Sequence, residues 1–206
     1  MPSASQLAQA RASTGMHLVR LEPANRTVRF AREGVMLDLG AIGKGYAVER
    51  AVALLREAGI VNGILHGGTS TVYALGKPPD AAVWKVAIEY PAETSAPPAL
   101  LALVPLKDEA LSVSAVLGKA FRARGKTYGH VIDPRTGRPA SRAALAAVVL
   151  PSATETDAFS TALLTVGPKG HDQIASLRPG MRTVVLSKVT APPGWRVCSR
   201  GIAACC

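Results

Sequence analysis

Asp38-Leu39-Gly40-Ala41-Ile42-Gly43-Lys44-Gly45-Tyr46 is the stretch where an apolar segment gives way to a helix. Upstream, Val35 to Leu39 is a short apolar run. Downstream, Ala47, Ala51, Leu54 and Ala58, with Val48, Val52 and Leu55, recur at helical spacing. That pattern predicts a helix from about Lys44 to Ala58, stopped by Gly59. Glycines at 40, 43 and 45 allow a close backbone approach, and the free N–H groups of a helix start suit an anionic group. Lys44 adds a full positive charge there. The spacing is neither a Walker A loop, since Gly45 and not Ser or Thr follows the lysine, nor GxGxxG. A Gly-rich turn serving tight strand-to-helix packing accounts for the spacing at least as well.

Working outward, residues 4–12 are weakly helical, and Met16 to Leu21 and Thr27 to Phe30 read as a hairpin around Pro23-Ala24-Asn25. Further strands are expected at Asn62 to Leu65, Ser70 to Leu75, Val83 to Glu89, Leu100 to Val104, Leu111 to Ser114, Tyr128 to Ile132 and Ala144 to Leu150. Pro91 to Pro98 reads as a surface loop. A second main helix runs from near Glu155, with Thr154 as its N-cap, to Val166. Pro168 opens a short helix, and Met181 to Ser187 is the last strand. Several strands at hairpin spacing with two main helices describe an α+β fold, with packed helices on mixed or antiparallel sheets. The expected organisation is a flexible segment over 1–15, one domain over 16–190 and a tail over 191–206.

Three more segments carry polar chemistry. His66-Gly67-Gly68-Thr69-Ser70 lies between two strands, where a Gly pair commonly makes a hairpin turn; its hydroxyls also suit a ribose or phosphate. Gly129-His130-Val131-Ile132-Asp133-Pro134-Arg135-Thr136-Gly137-Arg138 contains a turn by composition. His130 there is either a satisfied structural residue or an acid or base near neutrality, and Arg135 and Arg138 suit phosphate oxygens. In Thr154-Glu155-Thr156-Asp157-Ala158-Phe159-Ser160-Thr161, Asp157 and Thr161 share a helix face. A carboxylate and a hydroxyl suit Mg²⁺, while Thr154-x-x-Asp157 taken alone reads more readily as a helix cap.

Bulk properties narrow the classes. The net charge is +10, from 24 Lys and Arg against 14 Asp and Glu. That attracts polyanions in general, but the basic residues are scattered, and no helix-turn-helix or RNA-binding signature is present, so no nucleic-acid partner is expected. The three cysteines, Cys198, Cys205 and Cys206, form no CxxC pair, which excludes a zinc ribbon or thioredoxin-type site. No run of 18 apolar residues spans a membrane. Met1 to Gly15 lacks the charged and apolar regions of a secretion signal.

Taken together and in order, Asp38 to Tyr46, His66 to Ser70, Ser112 to Ala115, His130 to Gly137 and Thr156 to Thr161 resemble the FAD:protein FMN transferases of the ApbE family. The likeness covers roughly residues 16 to 187. It implies a T-fold-like transferase domain that moves FMN from FAD to a Thr or Ser hydroxyl of a protein acceptor and releases AMP. On that resemblance Asp157, Thr161 and the Gly43 backbone carbonyl would bind Mg²⁺. Lys44, Gly67, Gly68, Thr69, Ser114, His130 and Arg135 would lie along FAD, and His130 and Lys44 would be catalytic. The resemblance also leaves a non-catalytic FAD- or FMN-binding module, or an inactive paralogue, as alternatives. The chain departs from the family pattern at Thr69, Ala115, Gly43 and Glu49, where Asp, Gly, Ala and Asp are usual. The family's N-terminal third is expected to be missing, which would expose apolar surface for that portion or for a second copy in a homodimer. Relatives are often exported lipoproteins, so the compartment is left open.

Overall fold

A computed structural model describes residues 2–91, 99–116, 120–123, 125–190 and 194–205 of the chain. In chain order it comprises α1 (Ala4–Ala12), β1 (Val19–Glu22), β2 (Thr27–Phe30), α2 (Gly43–Glu57), β3 (Gly63–Gly67), β4 (Thr71–Leu75), β5 (Trp84–Glu89), β6 (Leu100–Leu106) and β7 (Glu109–Ala115). There follow β8 (Ala120–Ala123), β9 (Lys126–Gly129), β10 (Ile132–Asp133), β11 (Arg138–Pro139), β12 (Leu145–Leu150), α3 (Ala153–Val166), α4 (His171–Ala175), β13 (Arg182–Lys188) and β14 (Trp195–Arg200).

Six of these strands form one sheet in the order β14-β13-β12-β7-β4-β3, with every neighbour antiparallel. The alternation of side chains along a strand explains how the sheet covers two cores. Leu145, Ala147 and Val149 of β12 join Val184 and Leu186 of β13 and Val72 and Ala74 of β4 on one face. The β5–β6 hairpin packs there with Leu101, Val104 and Leu106. Ala146, Val148 and Leu150 point the other way, against Leu163 and Leu164 of α3. Those two leucines are fully enclosed, worth about 2 kcal/mol each in removed apolar surface. Val48 and Val52 of α2 meet Tyr73 and Leu75 of β4 on the same helical face. The result is three layers: helices, a central sheet and a β-hairpin. The α+β expectation with antiparallel sheets and packed helices agrees with this architecture.

Several local expectations are corrected. Met16–Leu18 is a 3-10 turn, because the Leu18 N–H donates to the Gly15 carbonyl, and β1 starts only at Val19. Val35 to Leu39 forms no strand, and Met36, Leu37 and Leu39 are exposed. Tyr128 to Ile132 is not one strand: β9 ends at Gly129 and β10 begins at Ile132. Part of the expected Pro91–Pro98 loop, residues 92–98, lies outside the described residues. Residues 4–12 do form a helix, capped reciprocally by Ser3 and Gln6, and Arg11 Nη2 donates to the Arg135 carbonyl at 2.7 Å. The expected tail contributes β14, which pairs along its length with β13, so Met181 to Ser187 is not the last strand. Beyond β14, Ile202 is buried and the Cys205 N–H donates to the Leu101 carbonyl at 2.7 Å. Apolar Trp195 and Val197, packed on the sheet face, explain why this segment stays down.

The hairpin β1–β2 is two-sided. Arg20 and Arg29 face each other on one side, both 3.5 Å from the Glu22 carboxylate. Leu21, Val28 and Phe30 lie on the other side and are largely exposed.

Candidate functional site

The site is built where α2 and α3 meet. Gly45 has no room for a side chain: a Cβ there would overlap the Ala153 carbonyl and lie 2.8 Å from the Asp157 Cβ. Two helix backbones therefore touch directly, which only glycine permits. This contact brings the first turn of α2 against the first two turns of α3. The Gly45 N–H donates to Asp157 Oδ2 at 2.9 Å, and Lys44 Nζ stands 3.7 Å from Asp157 Oδ1. Asp157 is 3% exposed, whereas Lys44 reaches solvent. A buried carboxylate normally has its oxygens satisfied; here one is held by a backbone amide and the other faces a cation at ion-pair distance.

The helix-cap reading of Asp157 is corrected. The chain enters α3 two residues earlier than expected, with Ser152 as N-cap accepting from the Glu155 N–H at 3.2 Å. Thr154 is inside the helix, and Asp157 is its fifth residue, beyond the reach of a capping box. Asp157 is thus not used by its own helix. Thr161 follows one turn later on the same face. Its hydroxyl lies 3.1 Å from Ser114 Oγ, which also meets Ser160 Oγ at 2.8 Å, while Ser160 Oγ donates to the Asp157 carbonyl at 3.0 Å. Ser114 comes from the end of β7, so sheet and helix together assemble a row of hydroxyls beside the carboxylate.

The Gly pair closes the site from the sheet edge. Gly67 ends β3, and a Cβ there would lie 2.7 Å from Val48 Cγ2 and 3.7 Å from the Lys44 carbonyl. Gly68 has φ of 68°, which the turn requires and glycine supplies. Thr69 is exposed at the turn, and Ser70 anchors it by accepting the Val113 N–H at 2.7 Å. Gly43 opens α2 two residues before the amide that meets Asp157.

The second basic motif behaves differently. Arg135 donates through Nε and Nη2 to the two oxygens of Asp133, each at 2.8 Å, and its backbone N–H adds a third bond at 3.0 Å. The Arg135 guanidinium beside it holds the Asp133 carboxyl below the usual carboxylate range. Arg135 also donates to the Thr165 carbonyl at 3.3 Å. Thr165 is eight residues beyond Asp157, about 12 Å along the helix axis. The structure therefore brings Lys44 and the Gly45 amide to the Asp157 carboxylate, links Ser114 to Thr161 one turn along α3, and sets Gly67 beside Val48 and the Lys44 carbonyl; Arg135 is occupied by its own turn. His130 is exposed in the bend between β9 and β10.

Sequence reading passed over Ser160 and gave Glu49 only as a departure from the family pattern. Glu49 Oε2 accepts the Ser152 hydroxyl at 2.7 Å and the Thr154 N–H at 2.9 Å. Burial pushes the Glu49 carboxyl up, but the Thr154 amide and the Ser152 hydroxyl together outweigh it and hold the group below its ordinary value. The signal available in the sequence was the spacing Gly45-x-x-x-Glu49, which places both on one helix face.

Among the described residues no group of three His, Cys, Asp or Glu side chains gathers at one point. Asp157 instead stands among hydroxyls and a backbone amide, and carboxylate and hydroxyl oxygens are hard donors of the kind Mg²⁺ takes, with few protein ligands and the rest of its shell from water or phosphate. The donor set fits that ion.

Comparison with known proteins bears on this arrangement. A protein named FAD:protein FMN transferase from Klebsiella pneumoniae is 30% identical over 178 residues, 84% of this chain and 49% of that protein. The crystal structure of a flavinyl transferase ApbE from Pseudomonas stutzeri, in its apo form, is 28% identical, with a TM-score of 0.79 over 98% of this chain and 60% of that one. An ApbE protein from Thermotoga maritima, at 24% identity, shares the fold with a TM-score of 0.82 over 98% of this chain and 62% of that chain. The chain spans about half the length of the curated relatives it matches. The sequence model of the ApbE family matches residues 1–185, and the chain belongs to that family.

Proposed function

We propose that this chain carries the metal- and pyrophosphate-holding part of an FAD:protein FMN transferase, taking FAD and a protein hydroxyl and yielding FMN-protein and AMP. The observation that carries the reading is Asp157: a carboxylate buried at a helix–helix seam, held by the Gly45 amide, with Lys44 beside it. In the reaction a Thr or Ser oxygen of the acceptor attacks the phosphorus on the FMN side of the pyrophosphate. The bond from that phosphorus to the bridging oxygen breaks, the AMP phosphate leaves with the electron pair, and the hydroxyl proton passes to a base.

Asp157 and Thr161 would hold Mg²⁺, with the Gly43 carbonyl as a further donor; the bound ion would offset charge on the pyrophosphate. The chain's own groups do the rest. Lys44 projects from the start of α2, where the positive end of the helix dipole favours phosphate, and would bind and orient the leaving AMP phosphate. The Gly67–Gly68 turn, open to solvent with Thr69, lets a ligand approach the backbone. Ser114 fixes the Thr161 hydroxyl through the hydrogen bond between them. His130, solvent-exposed in the bend after β9, would take the proton.

The test is incubation of the chain with FAD, Mg²⁺ and an acceptor protein bearing a flavinylation sequence, read by mass spectrometry. The expected products are AMP and an acceptor heavier by one FMN. FAD binding that EDTA leaves unchanged, with neither product formed, would overturn the transferase reading in favour of a flavin-binding module.

A further inference from the structure

We propose that Glu49 is a positioning residue for Asp157, because α2 and α3 cap each other and each lends a carboxylate to the other's first turn. The inference rests on the reading of Asp157 as the carboxylate of the site and adds what fixes its place. The first N–H groups of any helix lack intrahelical partners and must find acceptors elsewhere. At the start of α2 the N-cap position is Ile42, whose side chain offers no acceptor, and the Gly45 N–H is taken by Asp157 across the seam at 2.9 Å. At the start of α3 the Thr154 N–H is taken by Glu49 at 2.9 Å, again across the seam. Ser152 links the local cap to the distant one: its oxygen accepts from the Glu155 N–H at 3.2 Å while its proton goes to Glu49 at 2.7 Å.

Helical repeat explains why the exchange closes. Gly45 and Glu49 are one turn apart on α2, and Ala153 and Asp157 are one turn apart on α3, so both pairs lie on facing stripes. Negative charge near a helix N-terminus is favourable at both ends. At the Gly45–Ala153 contact itself the two backbones meet with no side chain between them, so the register of the first turn of α3 depends on the bonds made around that contact. Glu49 supplies such bonds, tying down the first turn of α3. When it is removed, Ser152 still caps α3 locally and Leu163 and Leu164 still hold the body of the helix on the sheet, but its first turn loses the tie to α2 and the bond from the Gly45 amide to Asp157 loosens. Capping alone stabilises α3, whereas capping from α2 also places Asp157.

Hydrogen exchange at the Gly45 amide, followed by NMR on the full chain without flavin or metal, separates those two roles. In Glu49→Ala the Gly45 amide is expected to exchange at least about tenfold faster, as befits one lost hydrogen bond. Adding Ser152→Asp gives α3 a stronger cap of its own, so the melting temperature recovers while Gly45 stays fast. Gly45 protection unchanged in Glu49→Ala, or returning with stability in the double variant, overturns the proposal. Glu49→Gln keeps the side-chain shape and covers the case in which Glu49→Ala does not fold: it accelerates Gly45 exchange by a smaller factor, and no acceleration overturns the proposal. Because this measurement uses no substrate, failure of the wild-type chain to transfer FMN would overturn the functional reading alone.

Discussion

Asp133 and Asp157 are both buried aspartates in motifs of similar promise, and the fold treats them in opposite ways. Both oxygens of Asp133 are taken within two residues by the backbone and guanidinium of Arg135, so the group is fully used in shaping a turn. Asp157 is tied by one amide from a helix 112 residues away in sequence, and its other oxygen meets Lys44 only at 3.7 Å. A carboxylate satisfied locally holds structure; one held by a distant helix, with coordination to spare, is where a cation and a phosphate can be received. Burial alone does not distinguish them, since they are 5% and 3% exposed. Partner geometry does.

The comparison can be broken most decisively at Asp157. Asp157→Ala is expected to lower FMN transfer by about a thousandfold, the scale of removing one charge-stabilising group from a reacting centre. The same change at Asp133 should leave the rate constant for transfer close to that of wild type and act on stability. Comparing the two variants by AMP release and by thermal melting tests the distinction directly.

Gly45→Ala attacks the seam that gives Asp157 its partner. The added methyl overlaps the Ala153 carbonyl, and such overpacking against backbone should cost about 3 kcal/mol. Chemical denaturation measures it, and an unaltered midpoint would mean that the helices do not meet backbone to backbone. Lys44→Ala removes the cation beside Asp157 and should weaken FAD binding about tenfold, as expected for one charge-assisted contact. Flavin fluorescence titration reads that change, which Arg135→Ala should not reproduce.

The smallest effect is on acid stability. Glu49 has a folded value below its ordinary 4.5. A depressed carboxylate contributes stability that is present above the unfolded value and lost as pH falls through the folded one. The stability difference between wild type and Glu49→Gln should therefore be full near neutral pH and shrink on acidification below 4.5. Asp133→Asn should show the same sign, since Arg135 depresses that group as well. Denaturant midpoints collected across acid pH distinguish this from a difference that is constant with pH.

The sequence by itself determined the helix after Gly43, the strands around it and the α+β class, because periodicity and glycine punctuation are local properties. It also placed Lys44, the Gly67–Gly68 turn and Asp157 among the candidates, since the residue types carry their own chemistry, while Ser114 entered only through the family resemblance. It misplaced the start of α3 by two residues, and with that left Asp157 looking like a cap. It also missed β14, whose pairing with β13 depends on where the sheet edge lies. Only the tertiary structure decided which polar groups remain available. Arg135 was spent on Asp133 within its own turn, while Gly45 and Glu49 were committed to α3 across the fold. Whether a hydrogen-bonding group is free depends on which elements pack against it, and no stretch of local sequence contains that information.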